Sequence, residues 1–248
     1  MTSYCDLHTH LIPGVDDGPG AMECSLEAAR QLVELGFDTA VATPHRPTSI
    51  IRVDREAITS SHSAMREALD SGGIRLDVRL GTEYMFGPDL FEDVSAGKLI
   101  TLGGSRYFLV EFKSFSVQEF NKQFFFKMRI AGFIPVIAHP ERNELRTPQA
   151  RDFFNYMISV GAVLQCDIFS LIGRWGRHAR EMVLTLLENQ TAAVISTDTH
   201  CRKQDIEELP KAMDALRASV GRAGVELLLG ENPRAILQGK ATRKLDPK

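Results

Sequence analysis

The feature that most constrains the fold is a rhythm. Short, nearly continuous apolar runs alternate with longer amphipathic stretches from one end of the chain to the other. The runs are YCDLHTH, FDTAVATPH, IRLDVRLGTEY, RYFLVEF, FIPVIAHPE, AVLQCDIF and TAAVISTDTH. Strands this apolar are buried on both faces, as in parallel sheets covered by helices. Between them, GAMECSLEAARQLVELG sets Met22, Leu26, Ala29 and Val33 at helical spacing and stops at Gly36. In TPQARDFFNYMISVG, Thr147 reads as a cap and Pro148 as the first helical residue. Leu209, Met213, Leu216 and Val220 mark a last long helix, with short helices expected around 225–229 and 233–237. From about residue 240, KATRKLDPK reads as a frayed polar tail. About seven strand–helix units with no linker or repeat predict one α/β domain over residues 1–248. It is barrel-like, with a doubly wound open sheet as the alternative.

At 248 residues, 44% of them hydrophobic, the chain has apolar mass for a real core. A net charge of −3 gives no reason to expect nucleic acid or an anionic membrane as partner. No run reaches the length of a membrane span, and no basic n-region with an apolar stretch opens the chain. Cys5, Cys24, Cys166 and Cys201 form no CxxC pair, which favours a reducing compartment, hence a cytoplasmic location.

The chemistry gathers at the strand ends. The first expected strand ends at His8 and His10 and runs on to Asp17. The others end at His45, Glu83, Glu111, His139, and Asp198 with His200. Barrels of this type place their active sites at that end. Five of the seven histidines fall there; His62 and His178 fall in helical stretches and are expected to be solvated. Each residue alone has an ordinary reading as a loop histidine or a paired carboxylate. Nine imidazole and carboxylate groups converging from six strands point instead to a multinuclear metal centre. Without thiolates, the set suits manganese, iron, zinc or magnesium.

Asp17, Glu83, Glu111 and Asp198 bring four negative charges, so two divalent ions leave the centre neutral and three leave it about +2. A three-ion centre attracts dianionic phosphate, activates water and clamps an in-line displacement. Arg142, in HPERN, is the first candidate to hold phosphate oxygens and Arg46 the second, each with a surface ion pair as the competing reading. Asp6 is expected to orient a ligand from behind, and Asp16 to serve the turn. Trp175 and Phe112 stand near the mouth as candidates to contact a substrate ring, with packing as the first reading of each.

The ordered set DLHTH, TPH, GTE, VEF, AHPER and TDTH resembles the polymerase and histidinol phosphatase (PHP) superfamily. HLIPGVDDGP, AHPERN and SLIGRWG are similar to its bacterial manganese-dependent tyrosine phosphatases of capsule and exopolysaccharide loci. The resemblance runs from Asp6 to ENPRAIL. It implies a distorted (β/α)7 barrel holding two or three metal ions, manganese foremost. By position, His8, His10, Glu83 and Asp198 would hold one ion, Glu83, Glu111 and His139 a second, and Asp17, His45 and His200 a third. The implied substrate is the phosphotyrosine-bearing tail of a bacterial tyrosine kinase, with Arg142 and Asp198 in catalysis; a homo-oligomer stays open. One departure stands out. The family's Arg-Pro pair after the final DxH is missing from THCRKQDIEELP, which leaves Arg202 or Lys203 as the substitute phosphate ligand.

Cys24 and Arg30 in CSLEAAR match the spacing of cysteine-based phosphatases. They lack the glycines of a phosphate cradle and sit in an expected helix. The alternatives are a small-molecule phosphatase, with histidinol phosphate or another phosphomonoester as substrate, and a metal-loaded, catalytically silent barrel. The intact nine-residue set argues against the latter.

Overall fold

The computed structural model describes residues 3–46, 55–113, 119–143 and 148–245. Among these described residues eight strands follow in order: β1 (Tyr4–Thr9), β2 (Phe37–Ala42), β3 (Asp77–Leu80), β4 (Glu83–Met85), β5 (Tyr107–Glu111), β6 (Ile134–Ala138), β7 (Val163–Asp167) and β8 (Ala192–Ser196). Helices α1 (Met22–Glu34), α2 (Arg55–Ser71), α3 (Pro88–Ser95), α4 (Glu119–Ile130), α5 (Pro148–Ser159), α6 (Gly176–Glu188), α7 (Lys203–Glu226) and α8 (Asn232–Leu237) fall between and after them. All pairings are parallel, in two sheets of order β1-β2-β3 and β4-β5-β6-β7-β8.

Two sheets rather than one follow from a local event. The third expected strand is divided, β3 pairing with β2 and β4 with β5. The chain crosses between sheets at Gly81 and Thr82. A Cβ on Gly81 would stand 3.0 Å from Val41 Cγ1 and 3.1 Å from Leu102 and Thr43 side-chain carbons, so only glycine passes without displacing them. Apolar alternation continues across this step, which is why the sequence reads as one strand.

The sheets share a core. Cys5 and Leu7 of β1 and Val41 of β2 pack with Tyr107, Leu109, Val136, Val163 and Val194 of the other sheet in one buried cluster. Phe108, Val110, Ile137 and Leu164, alternating with these, belong to the larger cluster that also holds helix residues such as Phe125 and Phe153. Backbone hydrogen bonds join the sheets at their C-terminal ends. His10 donates to Thr199 O (2.8 Å) and Asp198 to His8 O (2.9 Å) on one side. Glu83 donates to Pro44 O and Arg46 to Glu83 O, both at 3.2 Å, on the other. The predicted ligands are therefore drawn to one end.

Other expectations need correction. In α1 the fully buried positions are Ser25, Ala28, Ala29 and Leu32, a stripe rotated from Met22, Leu26 and Val33, which pack only at its edges. Cys24 is exposed on that helix. The terminal segment through Leu245 is not a frayed tail: Tyr107 donates to Lys240 O (2.7 Å), Arg243 N to Asn232 Oδ1 (2.7 Å), and Leu245 is buried. Apolar Leu245 and the Asn232 side chain supply attachments that the polar composition hides. His62 is not solvated; it is half-buried, with Nε2 2.9 Å from Val78 O, while His178 is exposed. The Thr147 cap lies outside the described residues, and Pro148 does open α5.

Candidate metal centre

The nine predicted residues meet. Three overlapping groups form, each with ligand atoms within 4.8 Å of one another: His8, His10, Glu83 and Asp198; His10, Asp17, His45 and His200; and His45, Glu83 and Glu111. Any two groups share one residue. The first is fully buried, the others partly open. This partition differs from the expected one in two places. His10 joins the Asp17 group, and His45 replaces His139 beside Glu83 and Glu111. His139 lies alongside, with Nε2 3.0 Å from Glu83 Oε1 and 4.0 Å from Glu111 Oε2.

Hydrogen bonds set which ring nitrogens are open. His8 Nδ1 is 3.0 Å from the amide oxygen of Gln165, His10 Nδ1 2.6 Å from Asp16 Oδ2, and His200 Nδ1 2.9 Å from the Asp198 carbonyl. These oxygens only accept, so each Nδ1 carries a proton and each Nε2 of the neutral ring presents a lone pair. Those lone pairs face anions. His8 Nε2 is 3.2 Å from Glu83 Oε2 and 3.1 Å from Asp198 Oδ1. His10 Nε2 is 3.4 and 3.3 Å from the same oxygens, and His200 Nε2 is 3.3 Å from Asp17 Oδ1. Among the described residues, the buried Asp198 Oδ1 has no hydrogen-bond partner. Such an inward-facing set of lone pairs fits divalent cations bound by nitrogen and oxygen.

Protons compete for the same positions. Burial pushes the His8 imidazole down, yet Glu83 and Asp198 beside it raise it to about 9. His200 holds the Asp17 carboxyl down at about 2. Burial and the neighbouring Glu83 charge push Glu111 up to about 8. A cation reverses this last penalty.

The model of the family described as "Capsular polysaccharide synthesis, CpsB/CapC" matches residues 4–238. The chain belongs to the CpsB/CapC family. It is 29% identical over 243 residues to the tyrosine-protein phosphatase YwqE of Bacillus subtilis, covering 98% of this chain and 94% of the relative. It is 25% identical to the tyrosine-protein phosphatase CpsB of Streptococcus pneumoniae, covering 94% and 97%. Among solved structures, one from work on YwqE from B. subtilis and CpsB from S. pneumoniae, described as metal-dependent tyrosine phosphatases, matches with a TM-score of 0.84. There the identity is 28%, with 98% of each chain covered.

In this CpsB/CapC chain the predicted arginines part ways. Arg142 Nη2 donates to Asp198 Oδ2 (2.6 Å) and to Asp167, beside the metal centre, and these carboxylates hold its pKa above the usual arginine value despite burial. Arg46 is turned away, its guanidinium paired with Asp93 at 2.8 Å. Arg202 is 60% exposed, with Nη2 3.8 Å from Asp17 Oδ2, whereas Lys203 pairs with Glu207 at 3.6 Å. Asp6 binds backbone rather than a ligand ring, accepting from His8 N and Thr197 N at 3.2 Å. Asp16 both orients His10 and accepts from Gly18 N and His45 N.

Four supporting residues escaped the sequence reading. Gln165 orients His8. Asp167 binds Arg142, and Asp205 accepts from His200 N (2.9 Å) to shape the loop after β8. Glu141, fully buried and pushed up to about 7 by burial and then by Asp167, accepts from Asp167 N and Ser170 Oγ at 2.8 Å each. Gln165 and Asp167 stand on β7, which like β3 carries no predicted ligand; their period-two spacing at its end was the available signal.

Proposed function

We propose that this protein is a metal-dependent protein-tyrosine phosphatase that hydrolyses phosphotyrosine on a bacterial tyrosine kinase governing capsular or exopolysaccharide synthesis. The reading rests above all on the three overlapping groups, whose imidazole lone pairs and buried, unpartnered Asp198 Oδ1 are built to hold cations. His8, His10, Asp17, His45, Glu83, Glu111, His139, Asp198 and His200 are the proposed ligands, and manganese the proposed metal. Bound divalent ions supply Lewis-acid chemistry, activating water for attack on phosphorus and offsetting phosphoryl charge.

The chain's own groups do the rest. Asp198 keeps one oxygen in the metal centre and accepts from Arg142 with the other. Arg142 is thereby held beside the metal centre, where its cationic head offsets the charge that grows on a phosphoryl group bound there. Arg202, above Asp17 at the open side, is the proposed second phosphate ligand. The relatives named as tyrosine phosphatases support the substrate class. The two sheets are read as one distorted (β/α)7 barrel in a single domain over residues 1–248, with a cytoplasmic location proposed from the scattered cysteines.

The test is phosphate release by the manganese-reconstituted protein from phosphotyrosine peptides, compared with histidinol phosphate. Higher kcat/KM on the peptide is expected. No release from phosphotyrosine sinks the proposal.

A further inference from the structure

The one tryptophan of the chain is 44% exposed. Among the described residues the other large exposed apolar side chains are Phe126 and Ile130, both on α4. Trp175 stands against Arg142 and Asp167, and these two residues hold it. Its indole N–H donates to Asp167, whose same Oδ2 accepts from Arg142. The Arg142 Cζ stands 4.0 Å from the centroid of the indole ring. A chain of contacts thus runs outward from the metal-ligand cluster through Asp198 and Arg142 to an aromatic surface left open to solvent. The other aromatic candidate, Phe112, is buried, with its ring 4.9 Å from Phe86 and 5.8 Å from Phe153.

We infer that Trp175 determines specificity for the organic half of the substrate, by packing its exposed indole surface against the aryl ring of an aromatic phosphate ester. The inference rests on the phosphatase reading above. In a phosphomonoester the organic group begins one ester oxygen from phosphorus. A phosphoryl group held beside Arg142 therefore carries its substituent out along the neighbouring indole. An aryl ring gains stacking and apolar burial there, while a short alkyl group gains little. Because a hydrogen bond and the guanidinium already fix the indole, little ordering entropy is lost on binding.

The sole tryptophan is also the reporter. In the manganese-loaded, full-length protein, phenylphosphonate is expected to change tryptophan emission saturably. Methylphosphonate, of like charge, is expected to compete with phosphotyrosine hydrolysis while leaving the emission unmoved. Trp175→Ala raises the inhibition constant of phenylphosphonate about tenfold and leaves that of methylphosphonate unchanged, whereas Trp175→Phe shifts the former by less than about threefold. Far-UV circular dichroism verifies that both variants fold. Equal weakening of both phosphonates overturns the inference and reduces Trp175 to a support for Arg142. Emission unmoved at inhibitory phenylphosphonate overturns it as well. If the wild type releases no phosphate from phosphotyrosine, the phosphatase reading falls and takes this inference with it. An active wild type with an indifferent Trp175→Ala sinks the inference alone.

Discussion

At the residue scale, two proposed ligands sit on backbone that side chains seldom adopt. His139 has φ 31° and Asp198 φ 48°, both in the left-handed region. Such residues cost about 1–3 kcal/mol each and persist where their surroundings over-determine them. Asparagine tolerates this region and matches aspartate in shape, so Asp198→Asn isolates the charge. It is expected to keep the fold by circular dichroism and to lose phosphotyrosine hydrolysis by more than about 100-fold, beyond the roughly 10–100-fold that a residue supporting a ligand costs. Gln165→Leu removes the carboxamide whose oxygen fixes the His8 tautomer. Its metal affinity is expected to fall about 10–100-fold, with activity recovered at high manganese; isothermal titration with the metal reads this directly.

At the element scale, the passage from β3 to β4 decides where Glu83 lands. Gly81→Val places new carbons against Val41, Leu102 and Thr43. It is expected to lower the urea-unfolding free energy by about 1–3 kcal/mol, the usual cost of overpacking. The seam between α2 and β3 carries a pH signature. His62 is half-buried against the Val78 carbonyl, and burial lowers its pKa below the ordinary imidazole value. The unfolded chain therefore binds more protons than the folded one as pH falls through the ordinary imidazole range, and stability falls with it. His62→Gln abolishes that titration. Relative to wild type, its thermal midpoint is expected to rise on going from pH 7.5 to pH 5.5. A constant difference between the two proteins would count against this.

At the scale of the whole molecule, the metal centre gathers residues at or beyond the ends of β1, β2, β4, β5 and β8, and so from both sheets, which ties its occupancy to the fold. Cations that bind only the folded state stabilise it by about 2.7 kcal/mol at a hundredfold excess over Kd. Chelation is expected to lower the thermal midpoint and added manganese to restore it in a concentration-dependent way. A midpoint indifferent to both would contradict a metal site assembled by folding.

Strand order and the identity of the nine gathered residues were legible in the chain, because strand-end position and ligand chemistry are local properties. Period-two and helical patterning depend on neighbours a few residues apart, and imidazole or carboxylate at a strand end is visible in one dimension. Only the tertiary structure decided how those residues divide into groups, that Arg46 turns to Asp93 while Arg142 joins Asp198, and that Trp175 stays exposed where Phe112 is buried. It also decided that one apolar run becomes two strands at Gly81, and that Gln165 and Asp167 stand behind the site. These outcomes depend on distances between segments far apart in sequence, which packing sets.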